Sequence, residues 1–170
     1  MRRRWLGVIL AAVPLVVAAR TSSAQESGIE VGTIAPAAVV ETLDGKTANL
    51  SQYVGKGNGP VLIEFWATWC ENCHELEPTL KAVAQKYAGQ VRFVGVAVSV
   101  NQSPQRVKLF VEKHGLPGDH YYDRKGAATG AYDVPATSYV VVLDKSGKVV
   151  YTGLGGKQDL DAAIKKGLGK

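Results

Sequence analysis

Residues 61–69, VLIEFWATW, are apolar at nearly every position, and the pattern changes period directly after them. A run of this kind behind the breaker Gly59-Pro60 is the signature of a strand buried on both faces. From Cys70 onward, Leu76, Leu80, Val83, Ala84 and Tyr87 recur at helical spacing, with Gly89 as a stop. The chain therefore requires a central strand that runs straight into a helix. Its only two cysteines, Cys70 and Cys73, sit at that junction.

Two cysteines with two residues between them admit several chemistries. With His74 next in line, the stretch also spells C-x-x-C-H, the attachment pattern of a c-type haem. A haem would need a distal ligand, and the only methionine is Met1. His114 falls on a helical stripe with Val107, Phe110 and Val111, so a partly buried place is expected for it. His120, in GDHYYD, reads as a surface or strand-edge residue, and His74 as a solvent-facing one. Zinc would need a second ligand pair, and three scattered histidines supply none. A purely structural bridge over so short a loop removes little unfolded-state entropy.

The chemistry that these residues favour over those readings is dithiol exchange. Cys70 would lie at the helix N-terminus, where unpaired N–H groups and the helix dipole favour a thiolate, the attacking species. Cys73, one turn inside and expected to be less exposed, would resolve the mixed disulfide. Glu64 is the only charge in the apolar strand and is costly there unless paired or protonated. It reads as a buried acid that accepts the Cys73 proton, against the alternative of an edge glutamate pointing to water. Pro78 is expected to kink the helix, against the alternative of a tolerated first-turn proline.

The N-terminus reads as a secretory signal, with a basic start (Arg2, Arg3, Arg4), an apolar run from Trp5 to Ala19, and small residues before a cut after Ala24. An uncleaved anchor is the rival, weakened by the short run and Pro14. The expected division is a leader over 1–24 and one domain over 25–170, exported, most simply to a periplasm. Four of the 20 basic residues lie in the leader, leaving 16 against 15 acidic ones. Such a balance, with no basic groove, argues against a nucleic-acid partner.

The rest of the chain alternates strands and helices, which predicts an α/β domain with a mixed sheet. A hairpin turns at Asp44-Gly45. Residues 91–100 form a second buried strand. Ser103 caps a helix opened by Pro104 and closed by Gly115. A short strand follows at 119–123, then a short helix at 125–132. A hairpin of strands 138–143 and 148–152, with Pro135 at its entry, precedes a last helix at 158–168.

These residues resemble the thioredoxin fold, and more closely the TlpA/ResA-like branch of exported thiol–disulfide oxidoreductases. The resemblance covers about residues 30 to 168 and rests on VGTIAPAAVVETLDGKTANLSQY, PVLIEFWATWCENC and VPATSYVVVLDKSGKVV. It implies a central mixed sheet flanked by helices, an N-terminal hairpin, and an extra strand and helix within residues 98 to 132. It implies that Pro135 is a cis-proline set against the cysteines and that Val134 lines a client groove. It also places Glu64 as the acid behind the dithiol. Trp69, Glu71 and Asn72 complete the expected client-facing surface. Asn72 stands where the family most often has proline, and Leu76 where it often has an acid. Glu71 opposes a thiolate at Cys70, which favours a low potential.

The expected activity is exchange with protein disulfide clients, with no cofactor and no metal. Electrons would come from a membrane-bound thiol donor. Apocytochrome cysteines and copper-site assembly proteins are the clients the resemblance suggests. Three alternatives stand beside this reading: a c-type haem carrier, a thiol peroxidase, and a binding domain with an inert dithiol. The peroxidase pattern P-x-x-x-T-x-x-C would need Pro and Thr where Ile63 and Ala67 stand.

Overall fold

The computed structural model describes residues 28–55, 57 and 59–170. The expected leader, residues 1–24, lies outside the described residues. Among the described residues no helix is long and apolar enough to cross a membrane.

The elements follow the order read from the sequence. Strands β1 (Val39–Thr42) and β2 (Thr47–Asn49) form the first hairpin. Gly45 turns it with a φ of 84°, a conformation that favours glycine. Strand β3 (Val61–Trp66) leads into helix α1 (Glu71–Lys86), and strand β4 (Arg92–Val98) into helix α2 (Pro104–His114). Strand β5 (Asp119–Asp123) and helix α3 (Ala127–Ala131) precede the hairpin of β6 (Tyr139–Leu143) and β7 (Val149–Leu154). Helix α4 (Leu160–Gly167) closes the chain. The ends of α2 are set by local chemistry. The Ser103 side chain accepts the Arg106 N–H, and Gly115 ends the helix in the left-handed region.

The seven strands make one mixed sheet in the order β2-β1-β5-β4-β3-β6-β7. β3 runs parallel to β4 and antiparallel to β6, so it is buried on both edges. Its side chains alternate between faces. Val61, Ile63 and Phe65 join Val94, Val96, Val141 and Tyr132 in one core. Leu62 joins the core under α1 and α4, with Leu76, Leu80, Leu160 and Ile164. Trp66 packs on the same face beside Cys70, Cys73 and Val107 of α2. The segment expected to carry an extra strand and helix holds α2, β5 and α3, with β5 joining the first hairpin to the central strands.

Three local expectations are decided here. Pro78 lies inside α1, well past its first turn, so the alternative of a first-turn proline is set aside. Lacking an N–H, it leaves the His74 carbonyl without its helical partner. His120 is no edge residue: β5 pairs with β1 on one side and β4 on the other, and the ring packs edge-on against Trp66 at 5.8 Å between centroids. The strand at 119–123 was expected; the polar character of GDHYYD hid only its interior place in the sheet.

Pro135 is the third. The described residues contain no cis peptide bond, so the bond before Pro135 is trans, and β6 begins only at Tyr139. Trans is the lower-energy isomer of an X–Pro bond. The chain turns into β6 through positive φ at Asp133 (46°) and Ser138 (64°) instead.

Candidate active site

The strand-to-helix junction carries the two sulfurs. Cys70 is the N-cap of α1, and its Sγ accepts the N–H of Cys73 at 3.1 Å. Its carbonyl accepts from Cys73 and His74 as the first helical turn closes. The two cysteines form a disulfide with Cα atoms 5.2 Å apart. Cys70 is 4% exposed and Cys73 7%, so the expectation that Cys73 is the more hidden of the two does not hold. What separates them is direction. Cys70 holds the cap position, whereas Cys73 lines a small internal cavity of about 10 Å³, together with Glu64, Glu77 and Phe110.

Glu64 is buried, as its place in β3 requires. No side chain among the described residues donates a hydrogen bond to it. Loss of water, with a smaller push from the charge of Glu77, raises its carboxyl to about 8. Glu77 goes the other way. Burial works against its charge, but hydrogen bonds from Lys81 (2.7 Å) and His114 (3.0 Å to Nδ1) hold it below the usual range. One acid is thus kept protonated and the other ionised around the same cavity. His114 is partly buried, as expected, and stacks on Phe110 at 3.8 Å.

The loop before Cys70 is tied to the end of β4. Gln102 accepts the Thr68 N–H at 2.9 Å, and its amide donates to the Val98 carbonyl. Tyr122 donates to the Gln102 carbonyl at 2.7 Å, and Trp69 Nε1 donates to the Val100 carbonyl at 2.7 Å. These bonds leave the Trp69 ring 44% exposed beside the disulfide. From Trp69 a mostly apolar groove of about 540 Å³ runs past Val100, Thr129, Val134 and Thr137. Asp123, on its floor, is buried and accepts the N–H groups of Ala128 and Thr129, which fixes the start of α3.

The structure thus brings Cys70, Cys73 and Glu64 together and places Trp69 and Val134 on one groove. Pro135 lies exposed between two groove residues, Val134 and Ala136. Glu71 and Asn72 are exposed in the first turn of α1. His74 is exposed, but its Nε2 lies 3.1 Å from the Thr68 carbonyl and its ring meets Phe110 edge-on. Gln102 and Glu77 were given no role by the sequence, and His120 was placed at the surface or a strand edge. For Gln102 and His120, the polar segments that hold them gave no periodic signal.

Comparison with known proteins gives the family of the chain. The family model described as Redoxin matches residues 30–166. Thiol-disulfide oxidoreductase ResA of Geobacillus thermodenitrificans (strain NG80-2) is 32% identical over 162 residues, covering 94% of this chain and 90% of that protein. Thioredoxin-like protein YneN of Bacillus subtilis (strain 168) is 29% identical over 171 residues, covering 96% and 98%. Among solved structures, a thiol:disulfide interchange protein of the thioredoxin family from Chlorobium tepidum TLS superposes with a TM-score of 0.66. It is 26% identical, covering 82% of this chain and 98% of that one. The chain belongs to the redoxin family, as a thioredoxin-like thiol–disulfide oxidoreductase with the Cys-x-x-Cys pair Cys70 and Cys73.

Proposed function

We propose that this protein is exported and reduces disulfides of specific client proteins, with Cys70 as nucleophile, Cys73 as resolving thiol and Glu64 as proton acceptor. The observation that carries the assignment of roles is the asymmetry of the pair: Cys70 caps the helix and Cys73 faces the cavity of Glu64. A thiolate at Cys70 keeps the Cys73 N–H and the positive end of α1. It attacks a client disulfide, and the client's other sulfur leaves as thiolate. Cys73 then loses its proton to the ionised form of Glu64, the minor form at neutral pH, and attacks Cys70 Sγ. That step releases the second client sulfur and forms the Cys70–Cys73 bond.

The groove beside Trp69 supports a client bound as an extended segment, with apolar contacts from Val100 and Val134. Glu71, beside the cap, supports a reducing direction because a carboxylate there disfavours the thiolate form. Export rests on the basic and apolar pattern of residues 1–24. In a periplasm, electrons would come from a membrane-bound thiol donor, with apocytochrome cysteines or a copper-site assembly protein as clients.

No feature of the site favours the haem reading. A groove with room for a bulky ligand opens at Trp69 and Val134, while His74 is engaged by Thr68 and Phe110. The test is a trapping experiment. Cys73→Ser should accumulate a mixed disulfide with its client through Cys70, and Cys70→Ser should accumulate none. Equal trapping by both variants would overturn the assignment of roles.

A further inference from the structure

Glu64 lines two small cavities. One holds Cys73; the other, also about 10 Å³, is lined by Gly95, Pro117 and His120. The sheet register explains why. Glu64 pairs with Gly95 across β3 and β4, and Gly95 pairs with His120 across β4 and β5. Residues at one level of neighbouring parallel strands share a face, so Glu64 and His120 flank a position that has no side chain. The His120 ring fills that space. A Cβ placed on Gly95 would fall against His120 Nδ1 and Cε1, and within 2.9 Å of Trp66 Nε1.

This small volume holds polar atoms without partners. Trp66 Nε1 has no hydrogen-bond partner, and the His120 ring nitrogens, closed off from water, meet only the backbone of Leu116 and Pro117, short of a well-formed hydrogen bond. The backbone at Leu116 and Pro117 lies near the ring and favours its charged form, but burial outweighs it and lowers the imidazole below its ordinary value. Buried polar groups left unpaired are rare and call for a reason. The chemistry is complementary: a carboxylate only accepts, while an imidazole can both take and give a proton.

We propose that His120 is the proton partner of Glu64, sharing across Gly95 the proton that Glu64 takes from Cys73 in the resolving step. The inference rests on the resolving role given to Cys73 and Glu64 above. Burial keeps Glu64 protonated near neutral pH, and a protonated carboxyl is no base. Passing that proton to His120 frees the carboxylate while the two buried charges offset each other.

The Cys73 proton then goes to Glu64, and the sulfur's electron pair makes the Cys70–Cys73 bond as the Cys70–client bond breaks. The dithiol loses two electrons and the client disulfide gains them. The client thiolate takes a proton from solvent, and the Glu64–His120 pair returns one. His120 acts through Glu64 and touches neither sulfur. Around the pair, α1 contributes Cys73, His74 and Glu77, α2 contributes His114, and β5 contributes Asp119. β4 contributes only Gly95 at this level.

The test uses the whole chain and needs two readouts. In the reduced protein, the His120 ring resonances should titrate together with Glu64, and Glu64→Gln should move their midpoint by about one pH unit or remove that inflection. In stopped-flow measurements against a small aromatic disulfide, His120→Gln should slow the resolving step about 10-fold at pH 7. It should also move the pH midpoint of that step upward and leave the Cys70 attack unchanged. Identical His120 titration in wild type and Glu64→Gln overturns the proposal even if His120→Gln does not fold. A slow Glu64→Gln beside a His120→Gln of wild-type profile sinks this inference alone. A Glu64→Gln of wild-type rate sinks the role of Glu64, and this inference with it.

Discussion

Cys73 and Glu64 line the same internal cavity of about 10 Å³, between the first turn of α1 and the middle of β3. That is room for about one water molecule. The carboxyl thus borders the same cavity as the sulfur to which the proposed reaction gives the resolving role, and it is largely shielded from bulk solvent. The cavity also explains why β3 tolerates a charged residue type at a level where Leu62 and Trp66 on either side are buried apolar groups.

Glu64 makes stability depend on pH in a defined direction. Its carboxyl titrates near 8 in the folded chain and near 4.5 when unfolded, so the folded state holds the proton more tightly. Its contribution is fully present below pH 4.5 and is lost as pH rises toward 8. Glu64→Gln should therefore stabilise the protein by about 2–4 kcal/mol at pH 7 and by almost nothing at pH 4. Urea unfolding at the two values checks it, and an equal effect at both would contradict the burial of an ionisable group here.

The groove and the sulfurs should separate in a binding test. Val134→Arg puts a charge among Val100, Thr129 and Thr137 without touching either cysteine. Exchange with protein clients should fall about 10-fold, the equivalent of about 1.4 kcal/mol of lost binding. Exchange with a small-molecule disulfide should keep its wild-type rate. Equal losses for both substrates would show that the groove is not where clients lie.

Gln102 holds the loop before Cys70 in place. Gln102→Ala leaves the Thr68 N–H and the Val98 carbonyl without these partners. The cost should be about 1–3 kcal/mol in chemical unfolding. Amide hydrogen exchange at Thr68 and Trp69 should speed up more than in α4, which has no part in that network.

The fold was largely legible because its signals are local. The unbroken apolar run of β3, the Ser103 cap and the Asp44-Gly45 turn each act over a few residues. The dithiol and the burial of Glu64 were legible for the same reason, as a charge alone in an apolar strand has few explanations. The rest depends on contacts between distant segments. His120 sits in a polar stretch whose burial comes from β1 and β4, on either side of it. Gln102 gains its role only because its loop returns to Thr68. The backbone at Pro135 followed the positive φ of Asp133 and Ser138, which no residue type there announces. The exposure of the two cysteines was set by tertiary packing rather than by their order on the helix.

The most direct measurement is the reduction potential of the Cys70–Cys73 pair. The protein would be equilibrated in graded thiol–disulfide buffers and followed by the fluorescence of Trp66 and Trp69, which pack on and beside the disulfide. The account predicts a reversible two-electron transition at or below about −270 mV, the value of thioredoxin. A reversible transition near about −120 mV, the value of a strong oxidant, would contradict the reducing role. The absence of any reversible transition would contradict the claim that these two sulfurs are the working chemistry.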